Sequence, residues 1–386
     1  MSGAPVPTRR PPPERALILS GSIGMGHDTV AEACADALAT VGCSTEVVDC
    51  MGLLGGLGSR AGDAVFRSLM AIPGAYDALH FASMRPGGRV ARYMDYAATH
   101  KLLKPMRDLL ARDPADLLLS VFATGAGVAD LLLAPDDPVS SVVYCTDACP
   151  HRMWVHERTD LFLVTAPMSG AFVRYHRPGA PVAVVPPAAR NEFYDPPTRD
   201  DARHALGIVE GGPVVLVIAG GWGFGPLDRL AHRLAHDGVT VLAVAGSNER
   251  LRGRLQRAAV EAERGGVAGR IVVFGYTHRV HELMAAADVV VTTPGDTCTE
   301  ARLIGRPMVL LDTIPGHGRE NLQLELSRGG AAAVSPDPAV VGAAVEAALA
   351  GGLEPAPGPP LGKADWQRAF LTSLEPLGVT LPPPPH

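Results

Sequence analysis

The sequence predicts an α/β protein of two doubly wound, Rossmann-like domains that face each other across a central cleft. Short apolar runs, typical of buried strands, alternate with longer amphipathic stretches, and this alternation indicates parallel sheets covered on both faces. The alternation occurs twice, separated by a proline-rich segment, and each half begins with a strand that leads into a glycine-rich loop. A chain of 386 residues is long enough for two domains of ordinary size.

The first half predicts one domain over residues 16–186, after a proline-rich lead at 1–15 that we expect to be disordered. The lead lacks the apolar core of a signal peptide. Strands are predicted at 16–20, 45–49, 117–122, 140–145 and 161–165, with helices near 28–40, 60–72, 88–111 and 167–177.

The second half predicts a domain over 209–355, after a turn-rich linker at 187–208. Strands are predicted at 213–219, 239–245, 270–274, 288–293 and 307–311, with helices at 248–264, 278–287 and 297–304. Residues 356–386 are rich in proline, and a short helix near 363–375 is expected to pack back on the first domain.

The composition excludes several classes of protein. The net charge of −6 gives no reason to expect a nucleic-acid partner. No apolar run reaches the roughly 18–20 residues needed to span a bilayer, so we expect a cytoplasmic protein. The six cysteines form no CxxC pair. Cys145, Cys149 and His151 could be imagined as metal ligands, but buried thiols at a strand end are favoured.

The most informative segment is 289–321, VVVTTPGDTCTEARLIGRPMVLLDTIPGHGREN. It predicts two strands, each followed by a Pro-Gly loop, with a short helix carrying Glu300 between them. Backbone N–H groups at a loop and a helix start can hold phosphates, and a carboxylate can accept two ribose hydroxyls. The segment therefore predicts a site for a nucleoside diphosphate. The alternative for Glu300 is an ordinary solvated helix residue.

This order and spacing resemble the donor site of the GT-B glycosyltransferases that include monogalactosyldiacylglycerol synthase and the bacterial N-acetylglucosaminyltransferase of peptidoglycan-precursor assembly. The resemblance covers residues 16–330. It implies that the second domain binds a UDP-sugar as co-substrate, that the first domain holds the acceptor, and that no metal is obligatory. The donor-binding residues that it implies are Gly221, Gly223, Phe274, Tyr276, Val280, Gly295, Asp296, Thr297, Glu300, His317, Gly318 and Asn321.

Two departures from the family pattern leave the donor sugar open. The usual lysine-bearing loop is 292–296 here, without lysine and with an added acid, Asp296. A carboxylate beside a diphosphate repels it unless the side chain points away or binds sugar hydroxyls. The usual Gln-Glu pair, which commonly meets the donor sugar, is replaced by His317 and Gly318. Arg319 is a candidate for the missing positive charge.

The first glycine-rich loop, GSIGMGH, ends in His27. Its spacing differs from the G-x-G-x-x-G of NAD-binding domains, although Asp49 could serve as the carboxylate that NAD requires. The loop resembles the Gly-Gly-Gly-His loop of the lipid galactosyltransferases, which implies that Gly24 and Gly26 face the acceptor and that His27 is catalytic or contacts the donor phosphate. An imidazole suits either role, and a helix-capping surface histidine is the alternative.

A second polar cluster, TDACPHRMWVH, follows the strand at 140–145. It also resembles the family, which implies that Asp147 is catalytic and that His151 and Trp154 bind the acceptor. Asp147 could deprotonate an acceptor hydroxyl or orient His27, and Trp154 could offer a flat apolar face. The alternatives are a turn-capping Asp147 and a Trp154 in the core.

Residues 60–112 are predicted to contact a membrane peripherally, at its inner face. They contain nine Lys/Arg and four Asp, interspersed with apolar residues, in an otherwise acidic chain. Such a mixture can dock on an anionic bilayer without spanning it. Ordinary amphipathic helices are the alternative.

The sequence favours a UDP-sugar-dependent hexosyltransferase that acts on a lipid or another hydrophobic hydroxyl compound. The first alternative is a natural-product glycosyltransferase acting on an antibiotic or phosphoglycolipid intermediate. The others are a nucleotide-sugar epimerase and a non-catalytic nucleotide-sugar binding protein.

Overall fold

The computed structural model describes residues 11–21, 26–53, 89–134, 137–208, 211–220, 225–314, 316–355 and 362–381. Within these ranges the chain forms two six-stranded sheets, and every strand pairing in both sheets is parallel. The predicted fold class, two doubly wound α/β domains, is confirmed.

The N-terminal sheet has the strand order β2-β1-β3-β4-β5-β6, so that the order reverses between β1 and β3. Its elements are β1 (Arg15–Ser20), α1 (Gly26–Ala39), β2 (Ser44–Asp49), α2 (Cys50–Leu53), α3 (Arg89–Arg112), β3 (Leu117–Ser120), α4 (Ala123–Leu132), β4 (Ser140–Cys145), β5 (Leu161–Val164), α5 (Pro167–His176) and β6 (Val182–Val184). A 3₁₀ turn at Arg152–Trp154 lies between β4 and β5, and another at Asn191–Phe193 leads into the second domain.

The C-terminal sheet has the order β12-β11-β10-β7-β8-β9 and reverses between β7 and β10. Its elements are α6 (Arg199–Ala205), β7 (Val214–Ile218), α7 (Leu227–His236), β8 (Thr240–Val244), α8 (Glu249–Arg264), β9 (Arg270–Phe274), α9 (Val280–Ala286), β10 (Val289–Thr292), α10 (Asp296–Leu303), β11 (Met308–Leu311), α11 (His317–Ser327), β12 (Ala331–Val334) and α12 (Pro338–Ala347). A last helix, α13 (Lys363–Ser373), follows.

All ten strands predicted from the sequence are present. Eight of them are apolar runs buried on both faces, whereas β2 and β9 are partly exposed. The helices α2, α4, α6, α7, α11 and α12 and the strands β6 and β12 were missed. Most residues of α4 are small and suited to burial, so the helix shows little contrast between an apolar and a polar face in its sequence, ATGAGVADLL. The strands β6 and β12 are three and four residues long and lie at sheet edges. The helix predicted at 60–72 lies outside the described residues.

The C-terminal helix α13 lies against the first domain. The indole Nε1 of Trp366 donates to the carbonyl of Pro186 at 2.9 Å, and Nζ of Lys363 contacts the carboxylate of Asp36 in α1 at 3.1 Å. Trp366 and Phe370 are buried in the core that also contains one face of α1. The chain therefore crosses to the second domain and returns.

The two domains touch along the edges where the strands of both sheets end. The backbone N–H of Ala148 donates to Oδ1 of Asn321 at 3.0 Å, and Nη2 of Arg328 donates to the carbonyl of Thr165 at 2.9 Å. Leu324 of α11 packs in a small apolar cluster with Ala148 and Cys149. The loops that follow the strands of one sheet therefore face those of the other.

Candidate active site

The reversal points of the two sheets locate the candidate site. In open α/β sheets, ligands bind outside the carboxyl ends of the strands where the strand order reverses. In the first domain these ends lead into the His27 loop after β1 and into Val121 after β3. In the second domain they lead to Gly220 after β7 and to the 293–296 loop after β10. Three of the four loops carry residues singled out from the sequence.

His27, the second residue of α1, is half-buried. Its Nδ1 lies 2.7 Å from the carbonyl oxygen of Val121, and its ring meets Phe122 edge to face, with ring centres 5.2 Å apart. Because a carbonyl can only accept a hydrogen bond, Nδ1 carries the proton and Nε2 keeps its lone pair. This geometry fixes the tautomer and leaves Nε2 able to act as a base.

Asp147 follows β4 and is held by two neighbours. Its Oδ2 accepts a hydrogen bond from Nε1 of Trp154 at 2.8 Å and lies 3.7 Å from Nε2 of His151. Burial opposes ionisation of this carboxyl, but the charges of His151, His317 and His27 and the bond from Trp154 outweigh it, so the pKa of Asp147 lies below its ordinary value. Asp147 is therefore a carboxylate at neutral pH.

The structure corrects the prediction that Trp154 contacts the acceptor. It was expected to offer a flat face to the acceptor, but only 2% of its surface is exposed, so it cannot do so in this structure. Its ring centre is 6.3 Å from that of His27, while its N–H holds Asp147. The indole thus lies between the two predicted catalytic residues, and no hydrogen bond joins Asp147 to His27 among the described residues. His151 accepts a hydrogen bond from the backbone N–H of Met153 at 3.3 Å and begins the 3₁₀ turn.

Glu300, in α10, is 3% exposed, which excludes the solvated alternative. Arg190 donates to both of its oxygens, from Nε to Oε1 at 2.7 Å and from Nη2 to Oε2 at 3.1 Å. The guanidinium of Arg190 also lies 4.7 Å from the ring centre of Phe193. Burial raises the pKa of Glu300 to about 7 even though Arg190 favours its charged form.

Arg190 is a residue that the sequence reading missed. It lies in the proline-rich segment between the domains, which was interpreted only as a linker. The signal that could have found it is an arginine near the start of that segment, three residues before Phe193, in a chain whose donor loop lacks its usual lysine.

Asp296, the first residue of α10, points across the cleft towards the first domain. A Cβ atom added to Gly26 would lie 2.3 Å from Oδ2 of Asp296, so a larger residue at that position would have to displace the carboxylate. Burial raises the pKa of Asp296, Glu325 adds to this, and His27 and Arg190 oppose it. The acid that departs from the family pattern is therefore beside the histidine loop. Gly295 and Thr297 flank it in the chain.

The predicted donor residues of α11 lie at the domain contact. Asn321 accepts the hydrogen bond from Ala148, next to Asp147 in the chain. A Cβ atom on Gly318 would lie 2.4 Å from the side chain of Ile314, so this position is closed to larger residues unless the loop moves. His317 lies within electrostatic range of Asp147.

The residues predicted to hold the base follow β9. Phe274 ends the strand, and Tyr276 is 53% exposed, with its ring perpendicular to that of His278 at a centre distance of 5.1 Å. Val280 begins α9 and is buried. Gly24, Gly221 and Gly223 lie outside the described residues.

A cavity of about 50 Å³ lies between the domains, beside these groups. It is lined by Val30, Tyr144, Thr146, Thr165, Pro187, Ala188, Gly295, Asp296, Thr299, Asn321, Leu324, Glu325 and Arg328. In the part of the chain that the structure describes, no group of three or more His, Cys, Asp or Glu side chains is arranged to hold a metal ion. Burial raises the pKa of Cys149 to about 12 and that of Cys145 further, which agrees with buried thiols.

The predicted membrane-contacting segment is only partly described. Residues 54–88 lie outside the described ranges, as do the side chains of most of the first half of α3. In the second half of α3, Lys101, Lys104, Arg107 and Arg112 are exposed, and Lys104 pairs with Asp108 at 2.7 Å. None of the helices in the described ranges has both the length and the apolar content needed to cross a bilayer.

Comparison with known proteins identifies the fold. The chain is 31% identical over 194 residues to a processive diacylglycerol beta-glucosyltransferase of Bacillus subtilis (strain 168), a match that covers 49% of this chain and 50% of that protein. The chain thus spans about half the length of that curated relative. No family model matches it.

Two solved structures are similar over nearly the whole chain. The Anabaena protein HepE, solved with UDP, is 15% identical with a TM-score of 0.52, over 95% of this chain and 96% of that one. MurG of Acinetobacter baumannii is 14% identical with a TM-score of 0.52, over 94% of both chains. The chain therefore has the GT-B fold, and the resemblance seen in its sequence is confirmed at that level.

Proposed function

We propose that this chain transfers a sugar from a UDP-sugar to a hydroxyl group of a lipid or another hydrophobic acceptor. The observation that carries the proposal is the pairing of two sets of groups across the cleft. His27 and Asp147 follow strands of the N-terminal sheet, and the start of α10 with Glu300 faces them from the C-terminal sheet. The similarity to a diacylglycerol glucosyltransferase supports the lipid acceptor.

The donor is assigned to the second domain. The first turn of α10 carries unpaired backbone N–H groups and the positive end of the helix dipole, which favour a diphosphate. Glu300 would accept the ribose hydroxyls, and the backbone near Phe274, Tyr276 and Val280 would hold the base. His317, Gly318 and Asn321 would meet the sugar. Because Arg190 occupies both oxygens of Glu300, a ribose that binds there displaces it, and its guanidinium becomes available to the donor.

The reaction assigned to the first domain begins with the acceptor hydroxyl. Nε2 of His27 takes the hydroxyl proton while the oxygen attacks the anomeric carbon of the sugar, the bond from that carbon to the diphosphate breaks, and UDP leaves with the bonding electron pair. The ionised Asp147 stabilises the positive charge that forms on His27, although it does so at a distance, through the intervening Trp154. The helix dipole and the loop N–H groups stabilise the leaving UDP, so we expect no obligatory metal.

The acceptor is assigned to the face of the first domain that includes α3. Its exposed lysines and arginines suit an anionic bilayer surface, and peripheral contact there would bring a lipid hydroxyl to the cleft. The same site could take a soluble hydrophobic aglycone, which is why the natural-product alternative stays within the test.

The test is incubation of the purified protein with UDP-, dTDP- and GDP-sugars, each with diacylglycerol, glycolipid and aglycone acceptors. The expected result is UDP release that requires an acceptor, with a glycosylated product identified by mass spectrometry and unchanged yield in EDTA. An altered sugar or UDP release without any acceptor would indicate an epimerase. Tight UDP-sugar binding with no conversion in any combination would indicate a binding protein.

A further inference from the structure

We propose that Asp296 is a positioning residue for His27, and that the two form an acid–base pair across the domain cleft that strengthens His27 as a base. This inference rests on the proposed function and adds a residue to it. It also assigns a role to the acid that replaces part of the family's usual lysine-bearing loop.

The placement of Asp296 is the first step. It begins α10, but its carboxylate has no hydrogen-bond partner among the described residues of that helix. Instead its Oδ2 lies against Gly26, the residue that begins α1 and directly precedes His27. The first turn of α1 carries the positive end of a helix dipole, which attracts a carboxylate. The side chain is therefore held next to His27 by the first domain, although it belongs to the second.

The other acids near His27 already have partners. Asp28 accepts a hydrogen bond from the hydroxyl of Ser20 at 2.6 Å, and Asp147 is held by Trp154 beside His151 and His317.

Farther from His27, Glu300 is bonded by Arg190. Glu325, which lines the cavity, forms ion pairs with Arg302 and Arg328. Asp296 forms no hydrogen bond to any described residue. Among the carboxylates of the described cleft, it is thus the one free to respond to charge on His27.

The chemistry follows from the tautomer of His27. When Nε2 takes a proton, Nδ1–H stays on the carbonyl of Val121 and the ring becomes a cation. An opposite charge nearby favours that cation. The attraction is mutual, since His27 lowers the pKa of Asp296 against the effect of burial. Because Asp296 belongs to the second domain and His27 to the first, the pair exists only where the two domains meet.

The experiment follows the titration of His27 directly, by NMR of protein labelled with ¹³C-histidine, in wild type, Asp296→Asn, Asp296→Glu and Asp36→Asn. Asp36 is the matched control because its carboxylate is bonded to Asn191 and Lys363 on another face of α1. We expect the pKa of His27 to fall by about one unit in Asp296→Asn, to recover at least partly in Asp296→Glu, and to stay unchanged in Asp36→Asn.

The same variants have a kinetic readout. In Asp296→Asn, the acid limb of the pH profile of kcat should move to lower pH by about one unit, and the plateau should fall about tenfold, because a weaker base removes the proton less readily. If Asp296→Asn does not fold, Asp296→Glu and Gly26→Ala replace it, since the added Cβ at residue 26 must push the carboxylate away.

An identical His27 titration in wild type and Asp296→Asn overturns the pair, whatever the activity. If no sugar is transferred by wild type to any acceptor while the titration still shifts, the pair stands and the proposed reaction fails. The two ideas can therefore be separated.

Discussion

Glu300→Gln tests whether the buried carboxylate of α10 binds the ribose. The substitution keeps the shape of the side chain and removes the charge. In the structure, both oxygens accept hydrogen bonds from Arg190, at 2.7 and 3.1 Å, and the side chain is almost fully buried. A ribose that uses the same oxygens must therefore replace bonds of similar strength, and only the difference contributes to affinity.

The magnitude follows from that exchange. A hydrogen bond to a charged group contributes about 1.5–3 kcal/mol, and the two ribose hydroxyls could supply two such bonds. Displacement of Arg190 costs about as much as one of them, unless the freed guanidinium finds the diphosphate. We therefore expect Glu300→Gln to weaken UDP binding by about 1.5–3 kcal/mol, which is roughly 10- to 150-fold in Kd.

The assay compares two ligands on the same protein, so that general damage to the fold cancels. Calorimetry measures Kd for UDP and for 2′,3′-dideoxy-UDP in wild type and in Glu300→Gln. Wild type should prefer UDP by roughly 10- to 150-fold, and the variant should show almost no preference. Arg233→Gln is the control, because Arg233 is an exposed arginine paired with Asp237 at the C-terminal end of α7. An equal preference in wild type and Glu300→Gln would remove Glu300 from the ribose site.

Three further predictions concern catalysis, membrane contact and pH. His27→Ala and Asp147→Asn should each reduce turnover by about 10²–10⁴-fold with UDP affinity nearly unchanged. The double variant should lose less turnover than the product of the two single losses, because both groups act on one proton transfer. Near-normal turnover in both single variants would contradict the catalytic assignment, and a large loss of UDP affinity in His27→Ala would indicate that His27 contacts the phosphate. Sedimentation with anionic vesicles should show binding that falls as the salt concentration rises, since exposed charges such as those of α3 are screened beyond about 8–10 Å at physiological ionic strength. Equal binding to neutral vesicles would favour ordinary amphipathic helices. Because the folded-state pKa of Glu300, about 7, lies above its usual 4.5, its contribution to stability is fully present below pH 4.5 and is lost as the pH rises to 7. Urea unfolding should therefore show wild type losing about 2–3 kcal/mol relative to Glu300→Gln between pH 5 and pH 8, and parallel pH curves would show that the pKa of the carboxyl is not raised.

The segment from β10 to α11 shows what the sequence could predict. Its strands are continuous apolar runs bounded by glycine and proline, and such local signals are enough to place the loops at strand ends. Parallel pairing then brings the loop after β10 to the same edge as the loop after β7. The two-domain fold and the side of each sheet that faces the cleft follow from these local features alone.

The side-chain partners across long chain separations could not be predicted in this way. Arg190 and Glu300 are 110 residues apart, and Gly26 and Asp296 belong to different domains. No local periodicity encodes either contact, because each depends on how the two domains are placed. Trp154 was misjudged for a related reason: an aromatic residue in a polar loop suits a binding face, and only the packed structure shows that it is buried.

The contacts that join the domains use the groups that the proposed reaction needs. Asn321 bonds the backbone beside Asp147, Arg190 occupies Glu300, and Asp296 rests on the start of α1. A donor that binds to Glu300 must therefore displace Arg190, which belongs to the interdomain segment. An acceptor beside His27 lies next to the contact that Asp296 of the second domain makes with the start of α1. Substrate binding and domain placement then cannot be independent. A substitution at any of these contacts should change donor affinity and the placement of the domains together, whereas one in α13, which packs on α1 and on Pro186 of the first domain, should change stability alone.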